Sequence, residues 1–200
     1  MIDLLDPTNV ITRMFNGENY DQLYNYCKDL LKKDPSDMLA LQNISLSLIY
    51  LKNYEETLVY CDKVLEIKPS DTYALKNKIF ALENLKKYDD VLKLCEKLLL
   101  IDPNDVTALM NKAISLDHLG NYQDAINYYD LAQRIDSSLR EIPPAKSKLF
   151  EKLNMPDEAF LAAQGVLNKD MEKIKSDAKE NKCTIFHQFC DDEFQNSDSK

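Results

Sequence analysis

Apolar residues recur at helical spacing along most of the chain. Within residues 88–101 the apolar positions follow the order i, i+1, i+4, i+7, i+8, which forms one wide helical stripe; they are Val91, Leu92, Cys95, Leu98 and Leu99. The earlier stretch 54–67 repeats the pattern with Leu58, Cys61, Val64 and Leu65. Polar residues occupy most of the remaining positions. The pattern therefore predicts amphipathic helices joined by short polar turns.

One phrase of the sequence occurs four times. It reads YEETLVYCDKVLEIKP at 54–69 and YDDVLKLCEKLLLIDP at 88–103, with related copies at 20–35 and 122–137. The columns that keep a spacing of 34 residues are Tyr20, Tyr54, Tyr88 and Tyr122; Cys27, Cys61 and Cys95; and Pro35, Pro69 and Pro103. A period of 34 is typical of stacked helical hairpins, because one hairpin cannot bury its apolar stripe alone.

The 34-residue register predicts where each helix begins and ends. An opening pair is predicted at 7–16 and 20–33, followed by first helices at about 37–51, 72–85 and 106–119 and second helices at 54–67, 88–101 and 122–135. A degenerate fifth copy begins its first helix at Pro143-Pro144, and its second helix is expected to continue through 169–182. Of the turns inside the hairpins, Gly120 suits a left-handed conformation, whereas Lys52 and Lys86 would adopt it at a small cost.

The repeat resembles the tetratricopeptide repeat family over about residues 5–168. The family pattern is W-x2-L-G-x2-Y, then A-x3-F, then P. Here the tryptophan column holds Leu41, Leu75 and Leu109, and the chain has no Trp. The alanine column holds Thr57, Val91, Ala125 and Ala159, and the phenylalanine column holds Cys61, Cys95 and Tyr129. The exchanges between large and small residues are consistent with compensated packing.

The resemblance implies an all-α, right-handed superhelical solenoid of about five stacked helix-turn-helix repeats, with a C-terminal helix and tail. The expected repeat domain spans 1–168, with repeats at about 4–37, 38–71, 72–105 and 106–139 and a degenerate one at 140–168. A charged helical extension follows at 169–182. The final segment, 183–200, combines apolar and acidic residues.

The resemblance also implies a function, because members of the family are usually scaffolds that hold a peptide or a partner helix in a concave groove. Carried over by register, the first-helix columns that would line the groove include Ile49, Glu83 and Thr107. The predicted peptide-binding residues in these columns are Asn43, Leu46, Tyr50, Tyr73, Lys76, Asn77, Phe80, Met110, Asn111 and Ile114.

Two features of these columns bear on binding. Asn43, Asn77 and Asn111 form a ladder whose amides could bond a peptide backbone, or could instead bond neighbouring helices. The other positions are unusually apolar for a groove filled by water, which favours a covering partner, unless flanking polar side chains divide the patch. Lys76 alone is too little positive charge to clamp a partner's C-terminal carboxylate.

The sequence leaves the occupant of the groove open. The first expectation is a protein or peptide partner, with the chain acting as an adaptor. The alternative is a self-assembling structural subunit whose apolar groove or C-terminal tail is buried in a homodimer. The tail, with Ile185, Phe186, Phe189 and Phe194, is expected to cap the last repeat, to occupy a groove in its own or another subunit, or to be disordered.

The charge composition of the chain limits the classes of partner further. The formal charge is −9, from 25 basic and 34 acidic residues, and this disfavours nucleic acid and anionic membranes as the main partner. The sequence shows neither an apolar run of membrane-spanning length nor a charged and apolar leader, so a cytoplasmic location is expected. The cysteines that recur at the repeat period are expected to be reduced and buried.

Little in the sequence indicates catalysis or a cofactor, so we expect neither. Cys183, His187 and Cys190 would share one face of a helix and are a weak metal-binding candidate, since the spacing is uncommon and a fourth ligand is undefined. Asp117 and His118 are adjacent on a predicted helix and therefore point to different faces.

Overall fold

The computed structural model describes residues 6–179, and the regular structure of these residues is entirely helical. They form eleven helices: α1 Pro7–Asn16, α2 Tyr20–Lys33, α3 Met38–Tyr50, α4 Tyr54–Ile67, α5 Thr72–Asn84, α6 Tyr88–Ile101, α7 Val106–His118, α8 Tyr122–Ile135, α9 Ile142–Lys152, α10 Pro156–Ala163 and α11 Asn168–Lys179. The helices cluster into two compact units that divide between Leu119 and Gly120. The all-α prediction is therefore confirmed.

An aspartate caps the start of α3, α5 and α7. The Oδ1 atoms of Asp37, Asp71 and Asp105 accept hydrogen bonds from the backbone N–H three residues later, at 3.1, 2.9 and 3.0 Å. Each aspartate stands two residues after a proline of the repeat, which cannot continue the preceding helix. The Pro-x-Asp sequence therefore ends one hairpin and starts the next.

The turns inside the hairpins take the left-handed conformation that the sequence predicts. Lys52 and Lys86 both have φ of 58°, and Gly120 has φ of 81°. At the first of these turns the N–H of Lys52 donates to the oxygen of Ile49 at 3.0 Å and that of Asn53 to the oxygen of Leu48 at 2.9 Å. These two bonds form a Schellman motif, which satisfies the last carbonyl groups of α3.

The core of the first unit contains the cysteines of the repeat. Cys27, Cys61 and Cys95 are unpaired thiols and are completely buried. Burial raises the pKa of each thiol to about 12, because a thiolate would lose its hydration there. The expectation that these three cysteines are buried is thus confirmed.

The second unit contains α8 to α11, and here one expectation is wrong. The second helix of the degenerate repeat does not continue into the charged segment: α10 ends at Ala163, and α11 is a separate helix that begins at Asn168. Gly165 has φ of 81°, and its N–H and that of Val166 close another Schellman motif, at 2.9 and 3.1 Å. The glycine therefore ends α10 because it tolerates the left-handed conformation.

A buried lysine on α9 organises the second unit. Lys146 is completely buried, forms an ion pair with Asp130 on α8, and donates to the backbone oxygen of Val166 at 2.9 Å. It also donates to Oε1 of Gln133 at 3.2 Å, and the amide of Gln133 donates to the oxygen of Gly165 at 2.8 Å. This network fastens the connection between α10 and α11 to α8.

The predicted tail lies outside the described residues. The same holds for the weak metal candidate formed by Cys183, His187 and Cys190. Neither prediction is therefore tested by the structure.

A candidate binding groove in the first unit

Helices α3, α5 and α7 contribute to a groove with a volume of about 570 Å³. Aliphatic and aromatic side chains form much of its lining. The lining residues are Leu46, Ile49, Tyr50, Lys52, Tyr54, Lys76, Asn77, Phe80, Glu83, Thr107 and Asn111. Most of them come from the columns that the repeat register selects.

The groove brings together part of the predicted binding set. The predicted residues that line it are Leu46, Tyr50, Lys76, Asn77, Phe80 and Asn111. Four other predicted residues are not among the lining residues: Asn43, Tyr73, Met110 and Ile114. Whether either set contacts a partner stays a prediction.

The asparagine ladder serves the fold at two of its positions. The amide of Asn43 donates to the backbone oxygen of Leu39, one turn earlier in α3, at 2.7 Å. The amide of Asn77, which is buried, donates to Oγ of Ser45 on α3 at 3.1 Å. The bond of Asn77 agrees with the alternative that the ladder joins neighbouring helices, whereas the bond of Asn43 stays within α3. Asn77 also borders the groove.

Aromatic rings on the groove wall are held by other rings. Tyr50 stacks on Tyr20 with ring centroids 4.3 Å apart and an angle of 8°. Phe80 meets Tyr54 edge to face at 6.3 Å. Tyr50 and Phe80 nevertheless remain 49% and 45% exposed. Each ring is thus held in place by another ring and still exposed to solvent. A ligand would therefore bury these rings with little further loss of side-chain freedom.

Lys52 and Tyr54 line the groove although sequence reasoning did not select them. They lie at the hairpin turn and at the first position of α4, outside the first-helix columns. A periodic signal was available, because the tyrosine that starts a second helix recurs in every regular copy of the repeat. Three of these tyrosines contact a residue at the end of the next first helix, in the pairs Tyr20–Tyr50, Tyr88–His118 and Tyr122–Lys152.

Lys76 is already engaged by the protein. Its Nζ lies 2.7 Å from Oδ2 of Asp105, the capping residue of α7. One repeat earlier, Gln42 donates from Nε2 to both oxygens of Asp71 at 3.3 and 3.2 Å. This column therefore connects α3 to the cap of α5 and α5 to the cap of α7, and the charge of Lys76 is balanced locally.

Glu83 is the one residue of this lining with a buried side-chain oxygen, Oε1, that lacks a hydrogen-bond partner among the described residues. Burial raises the pKa of this carboxyl from 4.5 to about 7, because the charged form is deprived of water. A carboxylate without a donor on an apolar wall is the kind of group that a ligand satisfies.

The described residues show no other constellation with evident chemistry. Within residues 6–179, no three His, Cys, Asp or Glu side chains are arranged to hold a metal ion. His118 stacks flat on Tyr88, with centroids 4.3 Å apart. None of the described helices is both long and apolar enough to cross a membrane.

Comparison with solved structures finds the same fold in MamA. MamA 41-end from Desulfovibrio magneticus RS-1 is 18% identical, with a TM-score of 0.76 over 84% of this chain and 93% of that chain. A MamA RS-1 double mutant gives 18% identity and a TM-score of 0.75 over the same shares. A further crystal structure of MamA gives 15% identity and 0.74, over 83% of this chain and 97% of that chain. At such identities the likeness establishes the fold alone.

Sequence comparison identifies the repeats themselves. Two family models, both described as tetratricopeptide repeat, match residues 40–71 and 94–127. No curated protein matches the chain. The first match covers α3 and α4 almost completely, and the second runs from within α6 through α7 into α8. The chain therefore contains tetratricopeptide repeats in these two stretches.

Proposed function

We propose that this protein is an interaction scaffold that binds a peptide or a helix of a protein partner in the groove of its first unit. Tetratricopeptide repeats support a role in protein interaction in general. The proposal adds the place and the mode of binding, and it involves no catalytic step.

The observation that carries the proposal is the exposed aromatic wall. Phe80 and Tyr50 are each nearly half exposed, and both border one continuous cavity with Leu46 and Ile49. Apolar surface that is gathered in a concavity gains free energy when a partner removes it from water. Aromatic side chains in such a cavity are the residue type that dominates the energy of interfaces.

The size of the groove fits a short protein segment. A volume of about 570 Å³ accommodates a few side chains, such as those that an amphipathic helix presents at i, i+3 and i+4. The asparagine and threonine at its border, Asn111 and Thr107, offer hydrogen bonds to backbone or side-chain groups of the ligand.

Selection of peptides tests the proposal even though the partner is unidentified. Random peptides long enough to form a short helix would be displayed and selected on the full-length protein, and their affinities measured for the wild type, Phe80→Glu and Leu100→Glu. Leu100 on α6 is the matched control, because it is 86% exposed and does not line the groove. We expect Phe80→Glu to abolish binding and Leu100→Glu to preserve it.

Thermal melts followed by circular dichroism distinguish loss of the binding site from loss of the fold in Phe80→Glu. Because Phe80 is substantially exposed, its substitution should leave the melting temperature within a few degrees of the wild type. Selected peptides that bind Phe80→Glu as tightly as the wild type would refute the groove as the site. Loss of the fold in Phe80→Glu would show instead that Phe80 belongs to the core.

A second copy of the chain is the other candidate occupant. Sedimentation velocity over a wide concentration range would detect a dimer. A dimer that dissociates in Phe80→Glu but persists in Leu100→Glu would assign the groove to self-assembly. A monomer at all concentrations would leave a different protein as the partner.

A further inference from the structure

We propose that the segment bound in the groove presents a lysine or arginine side chain to Glu83, with apolar side chains beside it on the aromatic wall. This inference rests on the proposed function and adds the chemical class of the ligand. It follows from the position of one carboxylate and from the charges around it.

Glu83 and Phe80 face the same cavity. They are three residues apart on α5, so their side chains lie on one side of the helix. A ligand that covers the ring of Phe80 therefore also lies beside Glu83. The Oε1 atom is buried and accepts no hydrogen bond from the described residues, so a ligand that brings an ammonium or guanidinium group beside Glu83 would compensate the charge of this carboxylate.

Cationic groups of the protein are present nearby but do not bond this carboxylate. Lys76 forms its ion pair with Asp105, and Lys52 is exposed at the turn that borders the groove. Tyr50 and Tyr54 also line the cavity. Behind α5, the thiol of Cys95 stays neutral, because burial raises its pKa to about 12.

A cationic ligand is favoured over a neutral or an acidic one. Desolvation raises the pKa of Glu83 to about 7, so the empty groove holds the carboxyl partly protonated near neutral pH. A bound ammonium or guanidinium group would stabilise the charged form and lower this pKa. An acidic segment would meet repulsion instead. This argues against the region of the chain's own tail that contains Asp191, Asp192 and Glu193.

The peptides selected on the wild-type protein provide the test. We expect those that depend on Phe80 to be enriched in lysine or arginine at one fixed position. Glu83→Gln should weaken their binding about tenfold or more, because an interaction between charged groups becomes an interaction with a neutral amide. Glu66→Gln is the matched control, since Glu66 is exposed on α4 and does not line the groove.

A change in the peptide provides a second measurement on the unaltered protein. Replacing its basic residue by norleucine should weaken binding to the wild type and have little further effect on Glu83→Gln. Such coupling in a double-mutant cycle would establish direct contact between the two groups. The wild-type half of this measurement stands even if the protein variant proves unstable.

The dependence of binding on pH gives a third readout. Below pH 7, protonation of Glu83 competes with binding of the cation. The affinity of a lysine peptide should therefore fall by up to about tenfold for each unit of pH, and this dependence should be absent in Glu83→Gln. Histidine-free peptides keep titration of the peptide itself out of this pH range.

The possible results separate the two proposals. Peptides that depend on Phe80 but show no basic residue, or that bind Glu83→Gln and the wild type equally, would overturn the inference and leave the groove as the binding site. Peptides that ignore Phe80 would overturn both. Acidic selected peptides would refute the preference for cations.

Discussion

Replacing Lys146 by alanine should destabilise the second unit severely. The lysine is completely buried and paired with Asp130, whose side chain is only 12% exposed. Alanine would leave this carboxylate without its cation. The same substitution would remove the donor to the backbone oxygen of Val166, so the connection between α10 and α11 would lose an anchor as well.

The repeats contain three equivalent lysine–acid pairs of different burial, which indicate how large the loss of stability should be. Three lysines at equivalent positions of successive repeats each pair with an acid on the preceding helix, and their side-chain exposures fall from 22% to 12% to 0%; the pairs are Lys78–Asp62, Lys112–Glu96 and Lys146–Asp130. Breaking a buried pair by removing one partner costs about 3–5 kcal/mol. Breaking an exposed pair costs about 0–1 kcal/mol.

Urea unfolding followed by circular dichroism would measure the difference. Lys146→Ala should lower the free energy of unfolding by about 3–5 kcal/mol, and Lys78→Ala by about 1 kcal/mol or less. Because the chain contains two compact units, hydrogen exchange of α8 to α11 should accompany the unfolding curves and assign the loss to the second unit.

A double-mutant cycle provides the stricter test. Lys146→Met combined with Asp130→Leu removes both charges and keeps apolar volume, so the double variant should be clearly more stable than either single one. Additive losses would contradict a direct ion pair. Equal losses for Lys146→Ala and Lys78→Ala would refute the argument that burial sets the magnitude.

Three further predictions concern the first unit and the turns. Lys52→Gly should stabilise the fold by about 0.5–1 kcal/mol, because glycine adopts φ of 58° without strain, whereas Gly120→Lys should destabilise it; thermal melts would compare them. The pKa of Glu83 is higher in the folded state than in the unfolded one, so its contribution to stability is present below about pH 4.5 and is lost as the pH rises through 7. The free energy of unfolding of Glu83→Gln should therefore rise by about 1–2 kcal/mol relative to that of the wild type between pH 5 and pH 8, after allowance for solvent screening. In a Cys183→Ser, Cys190→Ser background, an aromatic disulfide reagent at pH 8 should label no thiol before unfolding and three afterwards, namely Cys27, Cys61 and Cys95, whereas rapid native labelling would contradict their burial.

The sequence predicted the hairpins well because their determinants are local and repeated. A capping aspartate after each proline and an apolar stripe of helical period fix the limits of a helix independently of its neighbours. The break at Gly165 was missed for the opposite reason. In the repeat register, Ala159 and Val166 fall at positions of one continuous second helix, and the register gives no sign that Gly165 forms a helix end with Val166.

The sequence predicted several residues that line the groove, but it did not predict which polar side chains there lack a hydrogen-bond partner. The columns of the repeat identified Phe80 and Tyr50, since a residue's face on the helix follows from its register. Register does not tell which polar side chains find partners. Asn43 and Lys76 are satisfied by the protein, and Oε1 of Glu83 has no hydrogen-bond partner among the described residues, a difference that depends on contacts between repeats.

The repeats can be compared with one another to separate stability from recognition. Columns that keep their residue type perform the same structural task in each copy, as the capping aspartates and the lysine–acid pairs do. The column of Glu83 behaves differently, because it holds Ile49 one repeat earlier and Asp117 one repeat later. Stacking requires no particular residue there, so this position was free to acquire a carboxyl on the wall of an aromatic groove. An exchange of Glu83 for isoleucine, the residue of the preceding repeat, should therefore preserve the fold while shifting the selected peptides from basic to apolar, and unfolding of Glu83→Ile would instead show that the carboxyl is required by the stack.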